Sequence, residues 1–529
     1  MHQPLYDYQN QARALHAATF LLVLLFILIQ LVRSRQDAYE IIDSDPLVPV
    51  LKPQKASLAT VDTDVYLRVL VEKHGLKRNV SLFSQRVRAV PEASRRLSMT
   101  NIQTVFADGD FVSVNWDDKD LPLDKDGDTI LPIATSRVPG DTDASDLLFG
   151  VSTTYKRLAH ANDSLVRDWQ RWLTDGRGSS NGASVVVALH NSSIREAWET
   201  HDKFKDVGID ATVLILDDGL DEISRYFELV DILLEVNRAL ADDGQTKKYL
   251  GLIDDDIFFP TPGQLLSELS EFDAQEPYYV GLPSERADWS VEDDTAVTHG
   301  GGAVFLTPPA AAIVSALPCL SPGRPPFANT TTWDSALHEC VTKHASDALP
   351  LHVLSSFYSP RDALYHMHAP AYDQGISPLV LRHAQSRHRL EAGRAHLVTS
   401  ACGEACFLQR FRFADDWVLV NGYSLTHYGD GFEVVPMASS AVLQGALQYG
   451  LQAELPLGEG IVLDERGEDQ KEIVTWRGVR SVWSFLDAVV GDDGEVWQVY
   501  VKKGGAREVD DEEHEEDIMD SVIVLIWES

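Results

Sequence analysis

Three consecutive carboxylates, Asp254, Asp255 and Asp256, stand between two apolar runs, Tyr249 to Ile253 and Ile257 to Phe259, and Pro260 closes the stretch. Like charges in a row repel one another and lose hydration on burial unless a cation neutralises them. The apolar run before them reads as a buried strand. The acids then lie at the C-terminal end of a core strand, the edge at which open α/β sheets place their ligand sites. Carboxylate oxygens are hard donors suited to Mg²⁺ or Mn²⁺, and those cations hold phosphate oxygens in turn. The stretch predicts a metal and a nucleotide diphosphate. A solvated acidic turn is the plainer alternative, and the apolar residues on both sides argue against it.

The surrounding pattern alternates strand and helix. Asp146 to Ser152 reads as a strand, Ser164 to Leu173 as a helix, and Ser184 to Leu189 and Ala211 to Leu216 as β-branched strands. Leu220 to Leu240 is an amphipathic helix, and the next strand delivers the acids. Such alternation predicts an α/β fold with a mostly parallel sheet covered on both faces. No G-x-G-x-x-G and no G-x-x-x-x-G-K-S/T occurs, so neither a dinucleotide fold nor a P-loop enzyme is indicated. Beyond about residue 410, short runs at Trp417–Val420, Glu472–Trp476, Glu495–Val501 and Ser521–Trp527 predict a β-rich region.

Composition narrows the partners and the compartment. The 529 residues carry 81 Asp plus Glu against 45 Lys plus Arg, a surface that repels phosphate backbones and argues against nucleic acid. The run Asp510 to Asp517 reads as a solvated loop. Ala17 to Val32 is apolar apart from Thr19 and Gln30. It is short for a span of about 20 residues. No A-x-A-like cleavage site follows it, which favours an uncleaved anchor over a signal peptide. Arg33 and Arg35 against Arg13 lean toward a cytosolic C-terminus. The sequons at Asn79, Asn162, Asn191 and Asn329, all beyond the span, argue the reverse. So do the four cysteines, Cys319 with Cys340 and Cys402 with Cys406, which suit two disulfides in an oxidising lumen. A zinc site would be the rival, but the pairs lack C-x-x-C spacing. The expected organisation is a cytosolic tail (1–16), an anchor (17–32), a stem (33–145), an α/β domain (146–400) and a β-rich C-terminal region (401–529). Asp124–Asp128 resembles the start of an EF-hand loop but has Thr129 and Thr135 where Gly and Glu are needed, and reads as a turn.

Five segments, in order, resemble glycosyltransferase family 31, its Fringe-like branch with fungal and plant relatives. They are Phe149–Thr154, Ile253–Asp256, His299–Ala303, Trp333–Cys340 and Ser377–His383. The resemblance covers roughly 146 to 390 and implies a GT-A-type domain in a type II membrane protein of the Golgi or endoplasmic reticulum. It implies Asp254 and Asp256 as metal ligands for Mn²⁺ or Mg²⁺ together with His383, with His366 and His368 as competitors. Asp255 or Asp254 is expected near the ribose, and Gly301 and Gly302 at the sugar pocket, where a bare backbone lets a ligand approach. Ser152, Thr153 and Arg157 are expected at the uridine or the phosphates.

Inversion at the anomeric carbon needs a base that takes the acceptor hydroxyl proton, and the resemblance gives that role to Asp334. Without the resemblance, a helix cap would be the better reading of an Asp at that place. Trp333 stands where relatives often have Gly or an acid. The expected activity is metal-dependent, inverting transfer of a sugar from a UDP-sugar to a glycan or glycoprotein hydroxyl, β-1,3 in many members. Two rivals stand beside it. One is a non-catalytic lectin-like or scaffolding relative. The other is a phosphohydrolase, for which no nucleophile or second His/Asp cluster is evident.

Overall fold

The structure, a computed structural model, describes residues 63–528 apart from internal stretches, the longer of which are 283–289, 320–331, 355–377, 383–389, 437–451, 454–471 and 505–518. The expected anchor at 17–32 therefore lies outside the described residues. Among the described residues no helix is long and apolar enough to cross a membrane.

Seven strands between Leu147 and Val353 form one sheet. Its order is Leu351–Val353, Tyr279–Leu282, Gly300–Leu306, Tyr249–Ile253, Leu147–Thr153, Ser184–Leu189 and Asp210–Ile215. Successive residues of its strands bury on opposite faces. Phe149, Val151, Val185 and Val187 join one apolar cluster, and Leu148, Val186 and Ala188 join another. A strand buried on both sides has no polar face, which is why these segments read as continuous apolar runs. Helices Ser164–Leu173 and Ile194–Asp206 contribute to the first cluster, and Glu222–Asp242, Pro308–Ser315 and Trp333–Ala345 to the second. Each large side chain so buried contributes about 1.5–3 kcal/mol. Gly251 admits no replacement without movement, because a Cβ there would stand 3.0 Å from both Phe149 and Phe305.

The sheet is mixed, which corrects the expectation of a mostly parallel one. Leu147–Thr153 is parallel to Ser184–Leu189 and to Tyr249–Ile253, whereas Gly300–Leu306 runs antiparallel to Tyr249–Ile253 with Ala303 opposite Ile253. The consequence is local. A parallel neighbour would end where the acidic strand ends, but an antiparallel neighbour begins there, so the glycine run lies beside the acids.

The second sheet has ten strands and two apolar faces of its own. Most of them come from beyond residue 410, including Trp417–Val420, Arg480–Val490, Val496–Lys502 and Asp520–Trp527. Strand Asn79–Ala93, which falls in the expected stem, is paired in parallel with the last strand, Val80 opposite Asp520 through Val87 opposite Trp527. Asp128–Ala134 pairs with the same strand. Strands Asn79–Ala93 and Asp128–Ala134, both within the expected stem, thus belong to the same sheet as the C-terminal strands.

Candidate functional site

The strand Tyr249–Ile253 stops at a turn in which the Ile257 amide donates to the Asp254 carbonyl at 3.3 Å. The chain then enters the short strand Ile257–Phe258, which pairs with Leu381–Arg382 so that Arg382 stands opposite Ile257. This pairing delivers the Arg382 guanidinium to the Asp254 carboxylate, where the two form an ion pair. The indole Nε1–H of Trp333 donates to the other Asp254 oxygen at 2.6 Å. Burial pushes the Asp254 carboxyl up to about 7, against the pull of Arg382 and Trp333, and Asp256 and Asp334 add to the rise.

Asp255 turns inward. Its Oδ2 accepts from the Thr153 hydroxyl at 2.6 Å and from Arg157 Nε. The indole of Trp169 donates to its backbone carbonyl at 3.1 Å. Asp256 Oδ2 lies 3.8 Å from Arg157 Nη2, and the Arg157 side chain is half exposed. Thr153 and Arg157, expected at the donor, are therefore engaged with the acids themselves. Ser152 accepts from Arg225 Nε at 3.0 Å and lies 3.5 Å from His190 Nδ1.

Asp334 lies in the first turn of helix Trp333–Ala345, whose N-cap residue is Thr332. Its carboxylate accepts the Gly302 amide proton at 3.1 Å and the Ser335 amide proton at 2.9 Å. The Gly302 carbonyl in turn accepts from the Asp254 amide at 2.9 Å. Gly302 has φ +79°, and a Cβ there would stand 2.7 Å from Asp254 Oδ2 and 2.8 Å from the Arg382 guanidinium carbon. Only glycine fits a left-handed position packed so closely. The cap expected of an Asp at this place is not the role observed. One glycine separates the candidate base from the acidic loop.

Several residues of the site escape sequence reasoning. The N-terminal end of helix Glu222–Asp242 supplies three of them. Tyr226 donates to the Ile253 carbonyl at 2.7 Å and stacks on Trp333 with centroids 4.1 Å apart. Arg225 reaches Ser152 as above. Burial raises the Glu222 carboxyl, and it senses Arg225, Asp334, Arg382 and Asp255. Burial and Arg225 lower the His190 imidazole. The only sequence signal was the amphipathic pattern of that helix, which does not say what its N-terminal end faces.

The fit to a divalent cation is a matter of charge and donor chemistry. Asp254, Asp255, Asp256, Asp334 and Glu222 share the site with Arg157, Arg225 and Arg382, an excess of two negative charges when all are ionised. Among the described residues no three His, Cys, Asp or Glu side chains form a metal cluster. His383, the expected third ligand, lies outside the described residues, as do His366 and His368. The carboxylates of Asp254 and Asp256 are hard donors of the right kind.

Gly301 falls within the strand Gly300–Leu306, next to Gly302. Cys319 is bonded to Cys340 and Cys402 to Cys406. Of the sequons, Asn79 and Asn191 are exposed, and Asn162 and Asn329 lie outside the described residues. Asp124 to Gly127 lies outside them as well.

No protein-family model matches the chain, and no curated protein does. Among solved structures, the galactosyltransferase LgtC in complex with donor and acceptor sugar analogues is 10% identical over 45% of this chain and 86% of that one, with a TM-score of 0.29. A glycosyltransferase involved in the glycosylation of the major capsid of PBCV-1 is 12% identical over 46% and 97%, with a TM-score of 0.26. The inositol-1-phosphate CTP transferase from T. maritima is 14% identical over 40% and 86%, with a TM-score of 0.24. Scores and identities this low establish neither a shared fold nor a shared reaction.

Proposed function

We propose that this chain is a glycosyltransferase of the Fringe-like type, which transfers a sugar from a UDP-sugar to a glycan or glycoprotein hydroxyl with inversion. The observation that carries the reading is the placement of Asp334 and Asp254 on either side of Gly302. A carboxylate suited to act as base stands beside a crowded acidic loop, with bare glycine backbone between them.

Asp256 and Asp254 would hold Mn²⁺ or Mg²⁺, with His383 as the further ligand. Bound there, the cation would supply Lewis-acid stabilisation of the departing diphosphate. The chain does the rest. Arg157, half exposed beside Asp256, is placed to exchange its carboxylate partners for phosphate oxygens, since a guanidinium matches both. Ser152 and His190, at the ends of their strands, and Arg225, from helix Glu222–Asp242, form a polar edge where a nucleoside would lie. Asp334 retains lone pairs on both oxygens beyond the two amides it accepts, so it can take the proton of an acceptor hydroxyl.

Two disulfides and two exposed sequons support a lumenal catalytic part behind an N-terminal anchor, in the Golgi or endoplasmic reticulum. The non-catalytic scaffold is the second reading. It is favoured by Arg157 and Arg382 already neutralising Asp255 and Asp254. A transfer assay with labelled UDP-sugars and oligosaccharide acceptors separates the two. Incorporated label lost in Asp334→Asn supports the enzyme. A folded wild-type protein that neither transfers nor hydrolyses any donor supports the scaffold.

A further inference from the structure

The acidic loop is also held from behind, by the segment that leads into the second sheet. Residues 391–406 run along the edge of helix Ser164–Leu173 and form short helical turns. His396 in this segment is fully buried. Its Nε2 lies 2.8 Å from the carbonyl oxygen of Pro260, four residues past Asp256. A carbonyl only accepts, so Nε2 carries the proton and Nδ1 is left as an acceptor. Arg171 Nε donates to that Nδ1 at 3.4 Å. The same guanidinium donates to the His396 carbonyl at 3.2 Å and to the hydroxyls of Thr399 and Ser400 at 3.3 and 3.2 Å. Burial lowers the imidazole well below its ordinary range, and Arg171 adds to that, so the ring stays neutral.

The ring is also fixed by packing. It stands edge to face against Phe258, in the strand that leaves the acidic loop, and against Phe407, each with centroids 5.2 Å apart. Two further contacts converge on the same stretch. Glu404 accepts from the Gly263 amide in the first turn of helix Pro262–Leu269, whose own N-cap residue Thr261 makes no side-chain cap bond. Trp169, two residues before Arg171, holds the Asp255 carbonyl. The loop from Asp254 to Gly263 is thus gripped on its rear side by one helix and one linker.

We infer that His396 is a positioning residue for the acidic loop: through Pro260 and Phe258 it sets where Asp254 and Asp256 stand, which makes the linker into the second sheet part of the donor site. The function it serves rests on the transfer reading proposed above, whereas its grip on the loop does not. Groups that hold metal-ligating side chains in place from behind act in this way, and their loss weakens binding about 10- to 100-fold.

The test uses the full chain, with His396→Phe, His396→Gln and, as a control, Arg86→Ala. Phe keeps the ring packing and removes the donor. Gln restores a donor at the Nε2 position. Arg86 pairs with Glu495 and Glu528 in the second sheet, away from the loop. Hydrogen exchange of peptides covering 250–262 and calorimetry of UDP with Mn²⁺ are measured side by side. The inference predicts exchange in that peptide at least about threefold faster in His396→Phe, near wild type in His396→Gln, and unchanged in Arg86→Ala. UDP affinity should fall about tenfold in His396→Phe alone. Exchange at the loop unchanged in His396→Phe, or equally accelerated in Arg86→Ala, overturns the inference. A wild-type protein that does not bind UDP sinks the transfer reading, and the exchange pattern then decides the positioning role by itself.

Discussion

The Asp334 carboxylate accepts the amide proton of Gly302 at 3.1 Å, and the carbonyl of the same glycine accepts from the amide of Asp254 at 2.9 Å. The candidate base and the acidic loop are therefore registered to each other through one residue of the neighbouring antiparallel strand. A side chain that removes the proton of an incoming hydroxyl must be fixed relative to the group that receives the leaving phosphate.

Replacing Asp334 by Asn should separate binding from chemistry. The amide oxygen can still accept from Gly302, so the fold and UDP affinity should change little. Turnover should drop by about 10²-fold or more, because general-base catalysis contributes on that scale. Steady-state kinetics with the best donor, beside calorimetry, checks both halves.

Gly302→Ala should be damaging out of proportion to one methyl group. The new Cβ would stand 2.7 Å from Asp254 Oδ2, at a backbone φ of +79°. A cost of about 1–3 kcal/mol in stability is expected from the backbone alone. Donor binding should fall at least about tenfold, because Asp254 must shift. Chemical denaturation and UDP titration measure the two effects.

Metal binding should depend on pH through Asp254. Burial holds this carboxyl up at about 7, so below that pH a proton competes with the cation, and the affinity for Mn²⁺ should rise with pH and level off above it. Trp333→Phe removes the indole donor that favours the ionised form while leaving a ring to stack on Tyr226. The midpoint should then move upward. Mn²⁺ titrations between pH 5.5 and about 8.5 would show it.

Stability should run the other way. Burial raises the Glu404 and Asp168 carboxyls to about 7, each far above the unfolded value. The folded chain then holds protons that the unfolded chain has released. Their contribution is fully present below about pH 4 and is lost as pH rises through about 7. The thermal midpoint should fall across that window, and Glu404→Gln should flatten the fall. Scanning calorimetry of both proteins at several pH values tests the sign.

Strands buried on both faces were the most legible part of the fold. Tyr249–Ile253, Ser184–Leu189 and Trp417–Val420 have in the structure the bounds their runs predict, because a strand buried on both faces is apolar along its interior and stands out against the polar segments around it. Asn79–Ala93 was not legible. Its partner is the strand Asp520–Trp527, and periodicity along a chain carries no information about pairing at that distance. The acids, the glycines and Asp334 lie together in the structure, a set that the resemblance names and the residue pattern alone does not. What holds them was not legible: Trp333, Arg382 and the pair Arg225 and Tyr226 reach the site from three elements, each with a residue type common in ordinary cores and surfaces.

The proposed transfer requires the acidic loop to bind a nucleotide diphosphate through a divalent cation. Calorimetry of UDP with the purified protein, with and without Mn²⁺ and beside Asp256→Ala, decides whether it does. Binding should require both the cation and Asp256. A folded wild-type protein that binds no UDP with Mn²⁺, or binds it equally well without Asp256, would contradict it.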